Sequence, residues 1–124
     1  MLTLEQAVCS ALVQAGLQLS QVVAVSSIDL KADEPGLLGY AALYGWNVHF
    51  YAAQELAAVQ VPNPSETVQK HTGTPSVSEA AALLGAGRFL GQTRALDMSA
   101  LLVEKFKHRG EDGRNATVSI ARCN

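Results

Sequence analysis

Val22-Val23-Ala24-Val25-Ser26-Ser27-Ile28 is an unbroken, largely β-branched run of strand length, and Trp46-Asn47-Val48-His49-Phe50-Tyr51 follows it as a second strand pattern. The first run does not alternate, which is how a strand covered on both faces reads, as in a parallel α/β sheet. The second does alternate, with Trp46, Val48 and Phe50 on one face and Asn47, His49 and Tyr51 on the other. Between them, Asp33-Glu34-Pro35 sets two acids and a proline where a helix starts. Leu37, Leu38, Ala41 and Tyr44 then give that helix an apolar face, and Gly45 ends it. The three together predict a strand, helix, strand unit.

Towards the amino end, Leu4, Ala7, Val8, Ala11, Leu12 and Ala15 share one helical face, with Thr3 and Gln6 placed as a capping box and Gly16 as a stop. Towards the carboxyl end, Gln54 to Val59 suggests a short helix broken by Val61-Pro62-Asn63-Pro64. Asn63 is placed to cap a helix that has Pro64 first and runs to Gly73. Ser76 and Glu79 form a second capping box ahead of Ala80 to Leu84, and Gly85 and Gly87 read as its stop. Arg88 to Ser99 lacks a period and is expected to be a loop. Ala100 to Arg109 and Asn115 to Arg122 have strand character around Gly110-Glu111-Asp112-Gly113, a hairpin signature. The expected fold is a three-layer α/β/α sandwich with a mostly parallel or mixed sheet and a carboxy-terminal hairpin, formed by residues 1 to 124 as a single domain.

A chain of 124 residues, 48% hydrophobic and 16% charged, suits one core and is not a disordered segment. No run reaches the length of a membrane span, and Met1-Leu2-Thr3-Leu4-Glu5 lacks the features of a signal peptide, so a cytoplasmic protein is expected. Cys9 and Cys123 share no partner motif, and free thiols in a reducing compartment are expected. Charge is uneven: residues 1 to 87 hold two basic and seven acidic groups, while residues 88 to 124 hold seven basic and four acidic ones. That basic third suits either an anionic ligand or an evenly solvated hairpin surface. Nucleic acid fits poorly, because the chain carries a formal charge of −2 and the basic segment has few aromatics.

Ligands of open α/β sheets sit beyond the carboxyl ends of strands. The segment Ser27 to Glu34 occupies such a place, and Asp29 and Lys31 are its candidates for binding or proton transfer. Asp33 is a ligand candidate or a helix-start residue. The starts at Asn63-Pro64-Ser65 and Gly73-Thr74-Pro75-Ser76 offer free backbone N–H groups, hydroxyls and positive helix ends, which favour carboxylates or phosphates. Plain capping is the other reading of Asn63, Ser65, Gly73, Thr74 and Ser76. His49, His71 and Cys9 have no metal-ligand spacing, so no metal is expected. Gly85, Gly87 and Gly91 follow a helix where a nucleotide loop follows a strand, and no GxSxG elbow occurs.

Three stretches carry a more specific signal: Ser27-Ile28-Asp29-Leu30-Lys31-Ala32-Asp33-Glu34-Pro35-Gly36-Leu37, Val61-Pro62-Asn63-Pro64-Ser65, and Gly73-Thr74-Pro75-Ser76-Val77-Ser78-Glu79-Ala80-Ala81-Ala82-Leu83. In order, spacing and wording they resemble the CobE / CbiG C-terminal domain family of cobalamin biosynthesis, and Asn115 to Ala121 resembles its final strand. Family members usually open with a strand and a turn containing glycine, cysteine and arginine; this chain opens at the helix, which implies a sheet one strand short. The segment from Arg88 to His108 is less family-like.

The resemblance implies the stand-alone type rather than the longer cobalt-precorrin-5A hydrolase type, and a protein that binds or helps process a polycarboxylated precorrin. Asp29 and Lys31 would then lie at the polar or reacting edge, with Asp33, Asn63, Ser65, Gly73, Thr74 and Ser76 holding ligand carboxylates. The partner implied is a precorrin or other corrinoid intermediate, with other corrin-pathway enzymes as further partners, and neither nucleic acid nor membrane. No cofactor is implied. A small hydrolase with Asp29 as general base, and an interaction module for a pathway enzyme, are the alternatives, so catalysis stays open.

Overall fold

The computed structural model describes residues 2–29, 35–66, 70, 73, 76–109 and 115–123. Helix α1 (Leu2–Ala15) buries Ala7, Ala11 and Leu12. It ends as expected at Gly16, where φ is +72° and Leu17 N–H reaches back to the Leu12 carbonyl at 2.8 Å. Gly45 ends α2 (Pro35–Tyr44) in the same way, with φ +70° and Trp46 N–H on the Ala41 carbonyl at 2.9 Å. Both are left-handed caps that a side chain would strain. Because α1 already runs from Leu2, Thr3 lies inside the helix and is not its cap.

Strand β1 (Val25–Ile28) pairs in parallel with β2 (Val48–Tyr51), Val25 opposite Val48 and Ile28 opposite Tyr51. This is the expected strand, helix, strand unit, with a correction to its start. A 3₁₀ turn at Leu19–Gln21 delivers the chain at Val22, and Val22 to Ala24 stay outside the ladder. Among the described residues β1 pairs with β2 alone, so it is an edge strand of this pair rather than an internal one. The short helix α3 (Ala53–Ala57) follows β2 directly. Strands β3 (Leu101–Arg109) and β4 (Asn115–Ala121) form the antiparallel hairpin.

Helix α4 (Val77–Phe89) packs on β1, β3 and β4, while α1 packs on β3, β4 and α2, so helices flank the strands in an α/β fold. The core joins Ile28, Tyr51, Leu56, Ala80, Ala81 and Leu84. Alanines on α4 keep the helix close to the strands, and two glycines bring it closer. A Cβ on Gly85 would fall 2.1 Å from Ser26 Oγ, and one on Gly87 would fall 2.0 Å from the backbone oxygen of Arg94. Neither glycine stops the helix, which continues to Phe89. An ordinary helical Gly→Ala gains up to ~1 kcal/mol of propensity. Gly87→Ala must instead displace backbone, and overpacking of that kind costs ~1–3 kcal/mol. Thermal unfolding of Gly87→Ala should therefore show a lower melting temperature than the parent.

Candidate functional site

The amino end of α4 lies against the carboxyl end of β1, because Ile28 packs with Ala80 and Ala81 of the first helical turns. Asp29, the residue after Ile28, is exposed. Gly73 adopts φ +81° and sits against the first residue of α3, where an added Cβ would stand 3.3 Å from Ala53 Cβ. Asp29, Gly73 and Ser76 thus bracket the carboxyl ends of β1 and β2, where a parallel unit builds its sites. Lys31, Asp33 and Thr74 lie outside the described residues.

Ser76 takes the N-cap position of α4 with extended backbone (φ −156°, ψ 105°), yet its side chain makes no capping bond. Its hydroxyl is fully buried and, among the described residues, has no hydrogen-bond partner. Burying a hydroxyl without a partner costs ~1–3 kcal/mol, and native structures contain few such groups. The expected box between Ser76 and Glu79 does not form, because the Glu79 carboxyl is bound from elsewhere.

That other partner is Asn63. Its Nδ2 donates to Glu79 Oε2 at 2.7 Å and to Glu104 Oε1 at 2.9 Å, and its backbone N–H donates to Glu79 Oε1 at 3.3 Å. Lys105 Nζ donates to the Asn63 carbonyl oxygen at 2.7 Å. Glu79 is fully buried, so Asn63 clamps the loop before it to both α4 and β3. It does not cap a helix: Pro64 and Ser65 are not helical, and helical structure is present at Glu66 and Lys70. Ser65 is half-buried just before that helical segment. Ser119 of β4 completes the seam, its hydroxyl bonding Ser78 Oγ at 2.8 Å and the Glu104 carbonyl oxygen.

Sequence reasoning missed Glu79, Glu104, Lys105 and Ser119 as a connected group. The one signal available was an acidic residue in the otherwise small, apolar start of α4, which the capping pattern accounted for. Among the described residues no group of three or more His, Cys, Asp or Glu gathers as a metal site, and no helix is long and apolar enough to cross a membrane. Cys9 and Cys123 are free thiols.

Comparison with known proteins adds to this geometry. The family model described as the cobalamin synthesis G C-terminus matches residues 1–121. A cobalt-precorrin-5A hydrolase of Priestia megaterium is 40% identical over 84 residues, 68% of this chain and 22% of that protein. Protein CobE of a Sinorhizobium species is 41% identical over 80 residues, 63% of this chain and 52% of that protein. The chain therefore spans about half or less of the curated relatives it matches. The crystal structure of CobE, a protein from the cobalamin (vitamin B12) biosynthetic pathway, superposes with a TM-score of 0.76 at 36% identity, over 94% of this chain and 79% of that one.

Proposed function

The chain belongs to the cobalamin synthesis G C-terminus family, and from that premise we propose that it binds a polycarboxylated precorrin of cobalamin biosynthesis, in the cytoplasm, at the amino end of α4. The observation that carries this reading is the buried hydroxyl of Ser76, unpartnered among the described residues. A donor without an acceptor, at the positive end of a thirteen-residue helix, suits a carboxylate. Asp29 and Gly73 stand at the neighbouring strand ends, and Lys31, Asp33, Ser65 and Thr74 belong to the same proposed site by their place in the family-like stretches. Asn63 is withdrawn from direct ligand contact, since its donors already serve Glu79 and Glu104. Other enzymes of the pathway are the proposed protein partners, as suppliers or receivers of the bound intermediate.

The hydrolase reading rests on the likeness to the Priestia protein and on the exposed carboxylate of Asp29. One experiment separates the two. Mixed with a late precorrin, a binder shifts the visible spectrum of the pigment in proportion to the protein added, and releases no fragment. Catalytic release of a two-carbon fragment by substoichiometric protein would overturn the binding proposal in favour of hydrolysis.

A further inference from the structure

The carboxyl end of α4 carries a feature separate from Ser76. At about 1.5 Å of rise per residue, Arg88 stands roughly 18 Å along the helix from Ser76. There α3 and the residues after it, the last turns of α4 and the segment 93–98 line an open cavity of about 610 Å³. That volume falls within the ~300–1,000 Å³ of small-molecule sites. Val59, Leu84, Leu96 and Met98 contribute apolar side chains to its lining.

Three of the four charged groups in the lining are already engaged. Arg88 donates to Glu55 Oε2 at 3.1 Å and lies over the Tyr51 ring, 5.4 Å from its centroid. Asp97 accepts from the Ser99 backbone N–H at 3.0 Å. Arg94 makes no hydrogen bond or ion pair among the described residues. Its backbone is nonetheless anchored: Gln92 N–H bonds the Gly87 carbonyl at 2.9 Å, and Leu96 N–H bonds the Leu83 carbonyl at 3.1 Å. The bare Cα of Gly87 lets the Arg94 carbonyl approach the helix. An unpaired guanidinium carried by an anchored backbone in this lining offers a planar donor fork to an anion.

We propose that this cavity binds a small ligand with an apolar body and one anionic head, a carboxylate or a phosphate, recognised by Arg94. A single head is specified because Arg94 is the one cation of the lining without an ion pair among the described residues, Arg88 being paired with Glu55, while Asp97 adds a carboxylate to the same lining. This site therefore selects against the polycarboxylated ligand proposed for the other end of α4, and it stands or falls independently of that reading.

Methyl NMR of Leu84, Leu96 and Met98 tests it with three fragments of similar shape: 3-phenylpropionate, phenyl phosphate and the neutral 3-phenylpropanamide. At least one anion should shift these methyls with millimolar affinity, as fragment-sized ligands allow, and about ten-fold more tightly than the amide. The tighter anion identifies the head group. Arg94 is exposed, so Arg94→Gln should fold as the parent does, lose the preference for the anion and leave amide binding unchanged. Arg94→Lys should recover part of it. The proposal is overturned if the methyls do not shift, if the amide binds as well as both anions, or if Arg94→Gln keeps the preference.

Discussion

Asn63→Ala should lower the unfolding free energy by about 3 kcal/mol, because it strips the side-chain donor from a fully buried carboxyl group. The Nδ2 of Asn63 joins Glu79 on α4 to Glu104 on β3, residues far apart in the chain, so its loss also unlinks the loop from both elements. Urea denaturation of parent and variant reads the difference as a change in midpoint with little change in slope. A second substitution identifies the cause. In the Asn63→Ala background, Glu79→Met replaces a buried carboxyl that keeps the residue-63 backbone N–H but has lost its side-chain donor, and should recover part of the loss, since apolar replacement of buried polar partners is often near neutral. If Asn63→Ala leaves stability unchanged and weakens precorrin binding instead, Asn63 acts on the ligand, as the sequence alone suggested.

Local patterns led to much of this fold. The largely β-branched run from Val22 to Ile28, the alternation from Trp46 to Tyr51 and the helix between them needed only neighbouring residues, and the parallel pair forms within those bounds, at Val25–Ile28 and Val48–Tyr51. Gly16 and Gly45 were legible for the same reason, since a left-handed helix end is a local demand. What sequence missed depends on distant partners. Val22 to Ala24 resemble a strand, yet the β2 ladder begins opposite Val25, and a strand extends only as far as its partner. Gly85 and Gly87 look like helix breakers by propensity, yet they lie within α4, where Ser26 and the Arg94 carbonyl leave no room for a Cβ. Glu79 looked like a capping residue three positions after a serine. Its actual partner is sixteen residues away, and pairing at that separation leaves no periodic trace.

The candidate site divides in the same way. Asp29, Gly73 and Ser76 could be placed from strand ends and helix starts, and the structure sets them around the carboxyl ends of β1 and β2. Asn63 shared the same local signature, and its role was decided by two carboxylates that only folding brings to it. Arg94 was visible only as one charge among the basic groups of the carboxy-terminal third. That it lacks an ion-pair partner among the described residues is a tertiary fact.

The measurement that bears most directly on the central claim is a paired one on Ser76→Ala: melting temperature, and affinity for a late precorrin by spectral titration. A serine hydroxyl that caps a helix contributes about 1 kcal/mol, so its removal would lower stability. Here the hydroxyl makes no capping bond and has no partner among the described residues, so its removal should leave the melting temperature unchanged or slightly higher. If the same hydroxyl donates to a ligand carboxylate, a charge-assisted bond of ~1.5–3 kcal/mol is lost, and affinity should fall roughly 10-fold to 100-fold. Unchanged stability with weakened precorrin binding is the predicted result. A lower melting temperature with undiminished binding would show that Ser76 serves the helix and not a ligand, and would contradict the account.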